Sequence, residues 1–461
     1  MLANKVQLLL GTIRRLVRRG NVQNLRKLVL KTRPEDLAVG FQFLGELERE
    51  HVFGVIPAEE LEYCAELIGT LDPALAAAVL QSLKVERAVE ILRKIPSDDV
   101  ADILGEFDEE RAEALLARMK DQESDQLAEL MHYGDDTAGG IMSPDFFSLP
   151  EKTTAQEAIE QLREATDVEM AFYIYVRDEH GHLVGCCSLR QLVVTAPDTP
   201  LSEIMTPNVI RVNTETDQEE VARLVHRYGF LAVPVVDEHN LLVGIVTVDD
   251  IIDVIREEAT EDILKMAGAG YDLSEEQSPM RAVRNRLPWL FAAWIGGVAS
   301  IWVIGAYEEQ LHKLAVLAAF IPVIMGMGGN IGNQAAALVV RGLALGRISV
   351  GQLGWVLGTQ TLVGAILGVF FGGLLGVVAY VLFGQESVAL GVGPIRLPLV
   401  VGLAIWSQML IAAFLGTLLP MVFERFKVDP AVATGPFVTT SMDIIGIVVY
   451  FNIAVLFLNL A

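Results

Sequence analysis

Asp443 is the only charged residue in the closing run "GPFVTTSMDIIGIVVYFNIAVLFLNLA". A carboxylate at the centre of a membrane-crossing helix costs roughly 2.5–3.5 kcal/mol, so such groups face a bundle interior or a water-filled path. Thr439 and Thr440 precede it by four and three residues, which sets two hydroxyls on its face of a helix. Pro436 is expected to break the start of that helix and free backbone carbonyls as further oxygen ligands. Hydroxyls, carbonyls and one carboxylate are hard ligands, suited to Mg²⁺ or Ca²⁺ and not to thiophilic metals. The competing structural reading is a protonated Asp443 bonded to a neighbouring helix. Intramembrane aspartyl proteolysis is excluded, because it needs two such acids and the expected spans hold one.

A second anomaly lies upstream. "PVIMGMGGNIGNQAAALVV", from Pro322, sets four glycines and two asparagines in an apolar span. Such a stretch suits either a backbone lining a cavity or helices packed closely through small residues.

The elements that must hold these groups divide the chain in two. Five runs near or above the roughly 20 residues needed to cross a bilayer lie at about 287–306, 314–341, 353–383, 397–423 and 433–460. From Leu287 onward six acids and six bases cancel, so the part before it carries the whole net charge of −24. An acidic soluble body is therefore joined to a neutral membrane body. The acidic body repels nucleic acid and anionic lipid and attracts cations. Three cysteines offer neither a disulfide framework nor zinc spacing, as befits a reducing cytosol. No secretory signal opens the chain; "MLANKVQLLLGTIRRLVRRG" is expected to form an amphipathic surface helix.

Residues 32 to about 131 predict short helices in series, with Asp72, Ser97 and Asp108 as N-caps. An internal repeat follows. "IMSPDFFSLPEKTTAQEAIEQL" from Ile141 is answered by "IMTPNVIRVNTETDQEEVARL" from Ile204. "YIYVRDEHGHLVGCCSLRQLV" is answered by "AVPVVDEHNLLVGIVTVDDII". Each copy reads turn, strand, helix, strand, Asp-rich turn, strand, helix, and resembles a CBS domain. CBS pairs are sensor modules that often bind adenosine nucleotides; the fold by itself implies no catalysis. "DIIDVIREEATEDILKMAGAG" then predicts a long acidic helix, a hinge over Gly268–Gly270 and "DLSEEQSP", and three arginines before the first span. Arg341, Arg347, Arg425 and Lys427 fall in loops on the side of the soluble body, which places that side in the cytoplasm and the C-terminus outside.

This order of parts, with "GGNIGNQ" and "VDPAVATGPFVTTSMD", resembles the MgtE family of Mg²⁺ channels over essentially the whole chain. The resemblance implies a multi-domain protein: an all-α superhelical N domain (1–131), an α/β tandem CBS pair (132–255), an acidic connecting helix and hinge (256–286) and an α-helical five-span membrane domain (287–461). It implies a homodimer with a pore between two membrane domains, not an enzyme, in the inner or plasma membrane. The pore acid falls on Asp443, with Thr439 beside it and Asp429 near the inner mouth. Sensor acids for cytosolic Mg²⁺ fall on Glu66, Asp98 and Asp102, on Asp217, Glu219, Asp250 and Asp253, and on Glu258, Glu261 and Asp262. Gly229 departs from a position where an acid can occur, and Gly435 from one where a polar amide can. Gln191 replaces a ribose-binding Asp, while Tyr173, Arg190 and Phe230 remain to hold the adenine of ATP. The alternatives are an ion-coupled secondary divalent-cation transporter with Asp443 as proton carrier, and a membrane-anchored nucleotide sensor. The latter has no use for Asp443.

Overall fold

A computed structural model describes residues 2–119, 121–165, 172–268, 279–389 and 393–458. The hinge expected after Gly268 lies outside them, at residues 269–278. Two units are resolved, Met1–Val254 and Ile255–Ala461.

Ten helices, from Leu2–Arg18 to Asp121–Leu130, precede the first described strand. Most have eight to ten residues, too few to be stable alone, so packing must hold them. Each rests on the helix two places further on, giving two alternating layers. Asp72 and Asp108 cap as expected, accepting from the backbone N–H of Ala74 (3.1 Å) and Arg111 (2.8 Å). Ser97 does not. The N-cap position belongs to Pro96, and Ser97, at the first helical position, turns its hydroxyl to Asp145 (2.8 Å). The first helix buries Leu10 and Ile13 in the same core as the second repeat's Val221, Val233 and Val246.

Both repeats fold as strand, helix, strand, turn, strand, helix. In the first, Ser148–Pro150 runs parallel to Tyr173–Arg177, which pairs antiparallel with Leu183–Ser188. In the second, Val212–Asn213, Ala232–Val236 and Leu242–Thr247 repeat the order. The opening motifs are exchanged between copies. Thr206–Pro207 of "IMTP" pairs with the first copy's Leu183–Ser188 strand, and Ser143 of "IMSP" bridges Ile245 of the second. Each motif's methionine then covers the glycine of the other copy's "LVG". A Cβ at Gly185 would stand 2.4 Å from the Met205 sulfur, and one at Gly244 would stand 2.7 Å from that of Met142.

Among the described residues of the second unit five helices are long and apolar enough to cross a membrane: Ala282–Ala306, Ala315–Ala344, Leu353–Gln385, Arg396–Arg425 and Pro436–Leu458. The glycine-rich second span is not interrupted; after a 3₁₀ turn, Ile321–Ala344 is continuous α-helix. Its glycines serve close approach. A Cβ at Gly416 of the fourth span would lie 2.3 Å from the Gly332 carbonyl, and one at Gly332 would lie 2.9 Å from Val438 of the last. The third and fourth spans meet likewise along Gly364, Gly368, Gly372 and Gly376, spaced four residues apart on one face.

The methionine-over-glycine contacts generate a test. Gly244→Val is expected to destabilise the cytosolic part by about 1–3 kcal/mol through overpacking, visible as a lower thermal midpoint of the full chain. Gly54→Ala, where a Cβ meets nothing within 4 Å, should not lower it.

Candidate functional site

The last span presents two different faces. Val438, Met442 and Gly446, four residues apart, are buried against the second and fourth spans. Thr439, Thr440 and Asp443 instead line a cleft of about 610 Å³, together with Ser300 of the first span and Asn333 of the second. A larger groove of about 810 Å³ between the third and fourth spans has no titratable lining group except Tyr380, and does not suit an ion.

Pro436 begins the last span instead of breaking it. It occupies the first helical position, where its missing N–H removes no intrahelical bond. The Gly435 carbonyl is not released as a ligand either, because the Thr439 N–H and hydroxyl both donate to it (3.0 Å each). Thr439 also accepts from the Asn333 side chain at 2.9 Å, so one lone pair of its oxygen stays open. The Asn333 amide oxygen is buried with no partner among the described residues. Asn333 is thus a pore candidate that the "GGNIGNQ" motif contained without distinguishing it from Asn330.

At one end of the cleft lie Met266 and Ala267, the last residues of the Val248–Ala267 helix. Gly435 has φ +54°, and a Cβ there would stand 2.2 Å from the Met266 carbonyl. The absence of a side chain at Gly435 is therefore what lets this helix end approach. Directly before Met266, the Lys265 ammonium contacts Glu261 and, at 2.7 Å, Asp429. Burial opposes the charge on Lys265, but the hydrogen bonds to Asp429 and Glu261 outweigh it and raise its pKa. Asp262 is pushed up to about 6, by burial first and then by the Asp429 charge. Asp429 also caps the turn Pro430–Ala433, accepting from the Ala431 N–H at 2.8 Å. Glu261, Asp262 and Asp429 are thus brought together around a cation of the chain itself. Glu258 is half-buried one turn earlier on the same helix.

The remaining acids expected to act as sensors are distributed over the first unit. Glu66, Asp102 and Asp253 are exposed, and Asp98 is buried at the start of its helix. Asp217 is an N-cap, accepting from the Glu219 N–H (2.9 Å), and Glu219 pairs with Arg223. Asp250 accepts from the Thr247 N–H (3.3 Å) and hydroxyl. Gln191 does the same for Ser188 in the first repeat, so an amide there keeps the cap that a carboxylate makes in the second. Gly229 closes its helix in the left-handed conformation at φ +66°, where glycine is favoured. Among the described residues no three His, Cys, Asp or Glu side chains converge tightly enough to hold a metal. Of the adenine candidates, Tyr173 and Phe230 join different apolar clusters. Phe230 stacks on Tyr228, and Arg190 is exposed.

Comparison with known proteins bears on the whole chain. A relative from Bacillus subtilis, called magnesium transporter MgtE, is 35% identical over 96% of this chain and 96% of its own length. The chain belongs to the MgtE family. A second MgtE transporter, from Thermus thermophilus, is 36% identical over 95% of this chain and 96% of its own. The family profile described as a divalent cation transporter matches residues 321–453, the MgtE intracellular N domain matches 32–136, and CBS domains match 138–197 and 201–257. A crystal structure of the cytosolic domain of the Mg²⁺ channel MgtE in complex with ATP is 38% identical. It aligns with a TM-score of 0.50, covering 53% of this chain and 99% of its own. This MgtE chain is accordingly multi-domain, with a helical N domain, a tandem CBS pair and five apolar helices.

Burial raises the pKa of Asp250 to about 6 from an ordinary 3.8, against the pull of its bond from Thr247. The native state then binds more protons than the unfolded chain between about pH 4 and 6, so stability falls as pH rises through that window. In chelator, Asp250→Asn should keep the cap, remove this dependence, and gain on the order of 1 kcal/mol at pH 7.5 with none at pH 4. Thermal unfolding across pH measures it.

Proposed function

We propose that this protein is a Mg²⁺-selective channel of the cell membrane that cytosolic Mg²⁺ closes. The observation that carries the reading is the cleft, where Asp443, the one acid lying away from the helix ends in the five spans, stands with two threonines and Asn333. The naming of full-length relatives as magnesium transporters supports the choice of ion.

Mg²⁺ is small and gives up its water reluctantly. The cleft therefore takes the hydrated ion, with Asp443 neutralising its charge through water and the Thr439, Thr440 and Asn333 oxygens ordering that shell. A single acid per chain suits a homodimer, in which a twofold axis brings two Asp443 carboxylates to one path. On this reading the acidic body and the bases Arg341, Arg347, Arg425 and Lys427 at or beyond the ends of the spans favour a cytoplasmic N-terminus, and five spans then leave the C-terminus outside.

Closing is assigned to the connecting helix. Its Glu258, Glu261 and Asp262, with Asp429 at the mouth, supply carboxylates that a divalent ion can bridge, drawing the Met266 end onto Gly435. Glu66, Asp98, Asp102, Asp217, Glu219, Asp250 and Asp253 supply the cytosolic surfaces that the same ion neutralises. Lys265 already occupies part of the mouth cluster, so Mg²⁺ must displace an ammonium there. The ion closes the path only by binding the closed arrangement more tightly than the open one. ATP is the ligand proposed for the CBS pair, held by Tyr173, Arg190 and Phe230; the similar cytosolic structure bound to ATP supports it.

Asp443→Ala should abolish selective Mg²⁺ flux into proteoliposomes while leaving the assembled protein intact. Flux at the native level removes Asp443 from the path. Neutralising Glu258, Glu261 and Asp262 together should leave a channel that stays open at high cytosolic Mg²⁺, measured by patch clamp across a Mg²⁺ titration. An unchanged closing midpoint removes this helix from the gate.

A further inference from the structure

Gln408, in the middle of the fourth span, is fully buried in the membrane unit. Its amide N–H donates to the Met442 carbonyl at 2.8 Å, and its amide oxygen has no partner among the described residues. Two glycines make room for it. A Cβ at Gly328 of the second span would lie 2.1 Å from Gln408 Nε2, and one at Gly446 of the last would lie 2.6 Å from it. An apolar side chain would fill this space without leaving an unpaired oxygen in a dry bundle, so packing alone gives no reason for an amide.

The bond falls on the residue before Asp443. In an α-helix successive side chains are turned by about 100°, so fixing Met442 toward the fourth span fixes where Asp443 points. The dry face of Val438, Met442 and Gly446 and the cleft face of Thr439, Thr440 and Asp443 are kept apart by that azimuth. We infer that Gln408 is a positioning residue for the ion path, holding the last span at the rotation that turns the Asp443 carboxylate into the cleft. The inference rests on the reading of Asp443 as the acid that meets the ion. Its device is an interhelical hydrogen bond, acting on a metal-facing group as outer-shell partners do.

The test uses the full chain in proteoliposomes. Gln408→Leu keeps volume and removes the donor; Gln408→Met, unbranched, serves as a second variant with different packing. The Mg²⁺ concentration that half-saturates flux should rise about 10–100-fold in both, the range typical of outer-shell substitutions. The cytosolic Mg²⁺ midpoint for closing should stay at the native value. Adding Gln408→Leu to Asp443→Asn should move the residual half-saturation no further, since the group being aimed is gone. Half-saturation within about twofold of native in both variants, or a further rise on top of Asp443→Asn, overturns the inference. Failure of both variants to assemble also overturns it, because Gln408 is then a folding residue. The Asp443→Asn arm alone tests the underlying reading: if it leaves half-saturation unchanged, Asp443 does not meet the ion.

Discussion

A carboxylate inside an apolar bundle must be given water or polar neighbours, and this requirement organises the membrane unit. The last span satisfies it by being two-faced. One face is dry and packed against glycines, so that its backbone sits close to the second and fourth spans. The other is lined with hydroxyls and opens on the cleft. Gly332 admits Val438 and Met442, Gly416 admits the second span's backbone, and a Cβ at Gly296 of the first span would lie 1.6 Å from the Thr440 methyl. The small residues in these helices are thus the means by which the Asp443 side chain is held facing the cleft.

A second electrostatic constraint acts where the connecting helix ends. Exposed like charges repel weakly at physiological salt, because screening sets in within about 8–10 Å. The partly buried acids Glu261, Asp262 and Asp429 are different: their charges cannot be left to solvent, and Lys265 neutralises part of them. On the proposed reading this makes the mouth a place where one cation is exchanged for another. The rest of the −24 is held more cheaply, several acids doubling as helix caps or pairing with a neighbouring base, as Asp217 and Glu219 do.

Much of this was legible in the sequence because it is local. Helical periodicity, the caps at Asp72 and Asp108, the doubled repeat and the lone Asp443 each need only a few neighbouring residues to be recognised. The departures are long-range. Ser97 carries the right residue type for a cap, yet Asp145, 48 residues away, takes its hydroxyl. Each repeat reads as self-contained, yet the "IMSP" and "IMTP" motifs cross over, because the glycine that accepts each methionine lies in the other copy. Pro436 has the composition of a break and the position of a start. The bond from Lys265 to Asp429 spans 164 residues, beyond the reach of any local pattern. Gln408 gave no signal, since a single amide in an apolar run carries no periodicity.

The proposed function requires that a hydrated divalent ion meets Asp443 in the cleft of the last span. Anomalous scattering from crystals of the full chain grown with Mn²⁺, an oxygen-loving octahedral substitute for Mg²⁺, tests it most directly. A peak is expected in the cleft, one water layer from the Asp443 carboxylate and near Thr439 and Asn333, that vanishes in Asp443→Ala. Mn²⁺ bound only at cytosolic acids, with the cleft empty at saturating metal, would contradict it.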